Sequence, residues 1–395
     1  MQIFKKYKLK SFFIYSLLFI TTFLIYYFSS PKSTPYDYFT RLADAFIHFR
    51  LYLLENPRWL NELIPIGGRY YVVYPPMPAV LLIPFVAIFG NGFSQTTFSI
   101  LLGSINPMIL YNTLKKAKIG TRTTLLATIF FAFGTNHWFL SSVGSAWYLA
   151  HIVAVFFLLL AIRETFGKQR LFLIGLSLGA SYWSRSTVIF TLPFFIFFMK
   201  EKFWPINKKS ILNLAKLGLG IGFFVFMDGL YNYLRFSNTS PLSPYSNIPK
   251  SQRTESLKNG FMSLKNIPMQ LDAMLMRLPH FQSSWPYMIP SLYSLAIWFT
   301  SPAIFFAFRA KKSVLMIASW LAIIPTLFVI SLWVVVGYSQ FGYRFAQDFM
   351  PFIIILVALG FGQKPGRIAY FLVLVSIFVN LWGILMINFL NRWVM

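Results

Sequence analysis

The segment TPYDYFTRLADAFIHFRLYLLEN, residues 34–56, sets Asp37, Asp44 and Glu55 among Arg41, His48 and Arg50, in a chain with only 10 Asp and Glu against 35 Lys and Arg. Carboxylates spaced along one helical face, of which Asp37 and Asp44 each have an arginine within a turn, suit proton abstraction from a hydroxyl, because a neighbouring cation favours the charged form a base requires. Thr34, Pro35 and Asp37 read as a helix start, with Thr at the N-cap, Pro at the first helical position and an acid at the third, and Pro57 ends the helix near Asn56. At about 100° per residue, Asp37, Arg41, Asp44, His48 and Glu55 fall on one face, with Phe39, Leu42, Phe46, Phe49 and Leu53 opposite. Such a helix lies in a membrane interface with its ionisable side towards water. Arg50 points to the apolar side and has to snorkel. The plain alternative is an amphipathic surface helix in which Asp37 complements the helix dipole and Arg41 pairs with its neighbours.

Other candidates are scattered. Trp147 and His151, in GSAWYLAH, stand one turn apart, and a histidine there is more often a satisfied core residue than a reactive one. Arg185 in SYWSRS and Arg344 in FGYRFAQDF sit among aromatics, where a guanidinium can clamp a phosphate; an interfacial anchor, or an ion pair of Arg344 with Asp348 at i+4, serves equally. Asp228 falls inside an apolar run, a functional candidate by default, with pairing to Asn232 or Arg235 the favoured simple account. Asn238 opens an Asn-Thr-Ser sequon that matters only where such sites are glycosylated.

The elements that must hold these residues are transmembrane helices. The 395 residues are 57% hydrophobic, 20% aromatic and 11% charged, far too apolar for a water-soluble globule. Apolar runs of about 20 residues recur between residues 12 and 391, without the short alternation of a β-barrel. The net charge of +25 is dispersed in clusters at 5–10, 115–122, 163–170, 200–209, 309–312 and 364–367, which reads as cytoplasmic turns and not as a nucleic-acid patch. The first span follows four lysines and lacks a small-residue cleavage site, the pattern of a retained anchor. The opposite face then carries the loops, and every acid except Glu164 and Glu201. No cysteine is present, so thiolate metal sites and cysteine nucleophiles are excluded.

Residues 74–90, YPPMPAVLLIPFVAIFG, are short and hold four prolines. They read as a re-entrant or interfacial helix, which keeps every basic cluster on one side. Arg185 divides 171–199 into two half-length runs, so the chain turns back there. The expectation is a single all-α polytopic domain over residues 1–395, with about eleven spans. It has a first external loop at 30–92, a second at 237–286, and the N-terminus in the cytoplasm of a multi-pass plasma-membrane protein.

The order of YDYFTRLADAF, GRYYVVYPPMPAVLLIPFVAIFG, the run from FAFGTNHWFL to AWYLAHIVAVFFLLLAIRE, GLSLGASYWSRSTVIFTLPF, YNYLRFSNTSPLSPYS and FGYRFAQDFMPFIII resembles the GT-C-type membrane glycosyltransferases. The likeness is to bacterial relatives of the dolichyl-phosphate-mannose protein mannosyltransferases and lipid A aminoarabinose transferases. It spans most of the chain through loose motifs. The resemblance implies transfer of a sugar, with inversion, from a polyprenyl-phosphate donor to a glycan, lipid or protein acceptor at the outer face. It implies Asp37, with Asp44 as second choice, as catalytic base, Arg185 and Arg344 near the carrier phosphate, and Arg69 and Tyr74 at the cavity edge; His48, Trp147 and His151 are counted with the substrate-binding set. Many such enzymes carry a second external acid where this chain offers Trp147 and His151. A divalent metal therefore lacks a second acidic motif to hold it, and no other cofactor is implied. The rival from another class is a transporter or flippase of lipid-linked sugars, which calls for inverted repeats and ionisable residues at mid-membrane.

Overall fold

The computed structural model describes residues 2–248 and 260–394, so residues 249–259 of the expected second loop lie outside the described residues. The chain is mainly helical. Its helices are α1 (Gln2–Phe28), α2 (Tyr38–Ile47), α3 (Met77–Phe89), α4 (Gln95–Lys116), α5 (Thr121–Phe133), α6 (His137–Val143), α7 (Ala146–Thr165), α8 (Leu171–Tyr182), α9 (Leu192–Phe198), α10 (Lys200–Phe203), α11 (Lys208–Phe236), α12 (Ser243–Ser246), α13 (Ile267–Leu275), α14 (Ile297–Thr300), α15 (Val314–Ser331), α16 (Met350–Phe361) and α17 (Arg367–Ile384). Two small hairpins interrupt them, β1 (Leu63–Ile66) with β2 (Arg69–Val72) and β3 (His280–Phe281) with β4 (Met288–Ile289).

Among the described residues four helices are long and apolar enough to cross a membrane: α7, α11, α15, and α17 with the π-turn that extends it to Phe389. Six further apolar stretches are shorter, Met77–Phe89, Leu171–Tyr182 and Met350–Phe361 among them, so the expected eleven full spans are not met as such. The reason is local. α4, although 22 residues long, carries too many polar side chains, and α8 and α16 have only 12 residues each; the break at Arg185, followed by the 3-10 turn Ser186–Thr191, falls where the sequence placed it. α11 presents Leu219, Phe223 and Phe226 outward and α17 presents Phe371, Leu374 and Phe378, the belt expected of helices bordered by lipid.

Side-chain contacts fix the directions of the helices. Asn112 near the end of α4 donates to Tyr15 early in α1 at 2.6 Å, while Thr22 late in α1 reaches Ser104; α1 and α4 are therefore antiparallel, and the 29–94 connection starts and finishes at one end of the bundle. α3, at 13 residues about 20 Å long, stays at that end. Arg163 of α7 donates to Asn112 at 2.7 Å, so α7 runs parallel to α4. α8 returns antiparallel to α7, its Ser181 bonding Ala154 O at 2.7 Å. α8 and α11 meet through glycine: a Cβ on Gly175 would stand 2.1 Å from Leu217 O, and one on Gly220 would stand 2.4 Å from Leu176 N. Small residues at such crossings let two helix backbones touch.

The bundle thus has two chemically different ends. One gathers the basic turns: Lys115 bonds Thr121 across the α4–α5 turn, Glu164 pairs with Arg170 across the α7–α8 turn, and Thr123 donates to Gly362 O after α16. The other gathers α2, the first hairpin, the α6–α7 turn, Arg185, and the 332–348 connection. Cysteine introduced at Phe49 and at Lys118, both exposed, should accordingly label from opposite sides of sealed vesicles. Labelling of both from the same side would overturn this two-ended arrangement.

Candidate functional site

Gln95, the first residue of α4, organises the acid-rich end. Its Oε1 accepts from Phe39 N at 3.0 Å, and its Nε2 donates to Tyr36 O at 3.2 Å and Gly144 O at 2.8 Å. Ala146 N also donates to Tyr36 O, at 3.1 Å. One buried amide therefore ties the start of α2 to the start of α7, which brings the segment around Asp37 beside Trp147.

α2 is shorter than expected at both ends. Its N-cap is Asp37, not Thr34, and that side chain makes no cap bond; it pairs with Arg41 at 2.8 Å, the pairing the plain amphipathic-helix reading also expects. The helix ends at Ile47, not near Asn56. Phe49 takes a left-handed φ of 55° and Leu53 bridges to Tyr70 of β2. Phe49 is 98% exposed and Glu55 is no longer on the helix, while Phe39, Leu42 and Phe46 do share its packed face. Arg50 does not snorkel: it turns to Asp44 at 3.8 Å. Asp44 also faces His48, whose Nδ1 lies 3.5 Å from the carboxylate.

A second cluster joins residues far apart in the chain. His151 Nδ1 lies 2.8 Å from Asp348 Oδ1, Arg185 donates to the same carboxylate through Nη2 at 3.1 Å, and Thr187 completes the set with a short hydrogen bond. Asp348 is wholly buried. Burial opposes its ionisation, but Arg185 and His151 outweigh that and hold the carboxyl well below the usual carboxylate range. Arg344 does not pair with Asp348. Its Nη1 donates to Tyr338 O at 2.7 Å, and its guanidinium lies over the rings of Tyr148 and Phe345 at 5.8 and 5.3 Å. Its Nε is buried with no partner among the described residues.

The residue the sequence did not single out is Glu62. Trp147 Nε1 donates to its Oε2 at 2.7 Å. Its backbone N–H donates to Tyr38 Oη at 3.1 Å, and the hairpin that follows it turns through Gly67 and Gly68 at φ 56° and 74°, the left-handed pair a two-residue turn needs. Burial pushes the Glu62 carboxyl up, against the opposing pull of the Trp147 hydrogen bond and of Arg344. Trp147 and His151 thus each hold a carboxylate, Glu62 and Asp348, supplied from elsewhere in the chain. The only sequence sign of Glu62 was an acid directly ahead of a Gly-Gly hairpin.

Trp147 and Glu62 are in contact, Arg344 acts on the Glu62 carboxyl through space, and Arg344 and Arg185 share the Phe345 ring, which links the two clusters. Asp37 joins through its neighbours, since the Tyr36 ring is 4.6 Å from that of Trp147. Tyr74 meets Tyr38 edge to face at 5.4 Å and belongs to the same aromatic wall. Asp44 and His48 sit at the far end of α2, and Arg69 is exposed on β2, stacked over Tyr52 at 4.7 Å; neither group contacts the cluster. Asp228 accepts from Tyr182 Oη at 2.9 Å, while Arg235 bonds Asn232 and Val72 O; Asn232 and Arg235, the neighbours expected on its own helix, also act on the carboxylate, and the tyrosine of α8 is the partner the sequence did not suggest. Among the described residues no three of His, Cys, Asp and Glu converge as a metal site.

Fold and site together define a helical protein, with helices fit to cross a membrane, that gathers buried arginines, carboxylates and aromatics at one end. No model of a known family matches the chain, and no curated protein matches it.

Proposed function

We propose that the chain is a membrane glycosyltransferase that moves a sugar, with inversion, from a polyprenyl-phosphate donor to a hydroxyl acceptor at the acid-bearing end, which faces outward from the plasma membrane. The observation that carries this reading is Arg344. A buried guanidinium with an unbonded Nε, which feels the Glu62 and Asp348 carboxylates but forms a salt bridge with neither, is costly to maintain without an anion in contact. A phosphate fits that need in charge and fork geometry. The resemblance to GT-C enzymes supports the same assignment.

In the proposed step the acceptor oxygen attacks C1 of the sugar, and Asp37 takes the hydroxyl proton. The C1–oxygen bond to the phosphate breaks with its electron pair passing to the phosphate oxygen, and prenyl phosphate leaves. Arg344 donates to the phosphate as its charge grows. Asp37 suits the base role because a quarter of its side chain is exposed while Arg41 fixes its orientation.

The test is to supply purified protein in lipid nanodiscs with a panel of radiolabelled prenyl-phosphate sugars and a mixed acceptor extract, and to measure released prenyl phosphate. Turnover supports the enzyme. Movement of the intact lipid-linked sugar across a bilayer without release would favour the flippase. An Arg344→Gln variant is expected to raise the donor KM by about tenfold or more, the worth of a lost charge-assisted hydrogen bond; an unchanged KM would remove Arg344 from the phosphate.

A further inference from the structure

Glu62 is held at two points and open at a third. Tyr38 fixes its backbone and Trp147 fixes Oε2, whereas among the described residues nothing bonds Oε1 and no cation lies within salt-bridge distance. The side chain is half-buried. A carboxylate has about four acceptor sites, and Oε1 is not among the buried atoms left without a partner, so it is open to accept from a ligand that displaces water there.

The spacing says what that donor is. Trp147 holds Glu62, and the next residue of α7, Tyr148, carries the Arg344 guanidinium over its ring. The Glu62 carboxyl and the Arg344 guanidinium act on each other through space without forming a salt bridge, so an acceptor and a cation border the same end of α7 with room between them. A sugar offers hydroxyl donors on its edge and an apolar C–H face, which pairs with an indole or phenol ring. The rings of Trp147 and Tyr36, tilted 48° at 4.6 Å, border the carboxylate on that side.

We propose that Glu62, with Trp147 and Tyr36, forms the subsite that recognises the hydroxyls of the donor's sugar, next to Arg344 at its phosphate. This rests on the donor assignment above, but it specifies recognition and not chemistry. Glu62 is a substrate-positioning residue with its own readout. It discriminates a sugar-bearing carrier from the bare carrier, which Arg344 alone does not.

The experiment measures equilibrium binding of radiolabelled undecaprenyl-phosphate-linked glucose, mannose and aminoarabinose, and of undecaprenyl phosphate itself, to the full chain in nanodiscs. The native protein is expected to bind at least one sugar-bearing carrier about tenfold more tightly than the bare one, the worth of one or two good hydrogen bonds. Glu62→Gln is expected to erase that preference while affinity for undecaprenyl phosphate changes less than about twofold; Trp147→Phe, which removes only the indole donor, should weaken it partly. Retention of the preference in Glu62→Gln overturns the proposal. So does equal loss of affinity for both carriers, and so does a native protein that does not distinguish them. If the preference exists and vanishes in Glu62→Gln yet no prenyl phosphate is released on turnover, the subsite stands and the transferase reading falls.

Discussion

Asp37→Asn is expected to lower sugar transfer by about 10²–10⁴-fold, the range general-base catalysis contributes, with no loss of folded protein. The amide is isosteric and keeps an oxygen for the 2.8 Å contact with Arg41. Because the Asp37 side chain caps nothing, its removal does not release the helix terminus, so a drop in rate cannot be traced to unravelling of α2. Asp44→Asn is the internal control. Asp44 is engaged by His48 and Arg50 about 10 Å further along the helix, at 1.5 Å per residue, and it lacks contact with the Trp147 cluster. The released prenyl phosphate measures both. Full activity in Asp37→Asn, or an equal fall in the two variants, would sink the base assignment.

How much of this was legible in the sequence depends on the range of the interaction. Local periodicity placed Asp37 and the apolar stripe Phe39, Leu42 and Phe46 correctly on opposite sides of a helix. It failed beyond Ile47, where Phe49 and Leu53 continued the pattern by coincidence; a left-handed residue and a bridge to Tyr70 are tertiary outcomes that no helical wheel contains. The i+4 pairing of Arg344 with Asp348 presumed an α-helix. The segment is a 3-10 turn, in which residues three apart align and the fourth is rotated away, so Asp348 turns to Arg185 and His151 instead. Glu62 was invisible because its partner is 85 residues distant and neither position belongs to a periodic pattern. The end-to-end segregation of charge was legible, since it follows from the sign and place of the loops. The break at Arg185 was legible too, but the number of full spans was not, because a continuous apolar run does not show how much of it is helix: α8 and α16 have only 12 residues each.

Asp348→Asn is expected to be the most destabilising single change, by about 3–5 kcal/mol, the cost of breaking a buried ion pair from one side. Asp348 is fully buried and joins three elements: His151 of α7, Arg185 and Thr187 after α8, and its own 3-10 turn ahead of α16. Asparagine keeps the shape but leaves the Arg185 guanidinium, only 24% exposed, without a counter-charge. Thermal unfolding in detergent should therefore begin well below that of the native protein. In an Arg185→Gln background the same change should cost less than in the native one, since the stranded charge is gone; simple additivity of the two would show that they do not act as a pair. The pH dependence has a definite sign. Because the folded-state carboxyl lies below its ordinary value, its contribution is complete above the unfolded value near 4 and is lost as pH falls towards the folded one. The gap between native and Asp348→Asn proteins should stay constant from about pH 8 to 5 and narrow only below about pH 4. A gap that instead closed as pH rose through 6 or 7 would mean that the charge on His151, not that on Asp348, holds the junction.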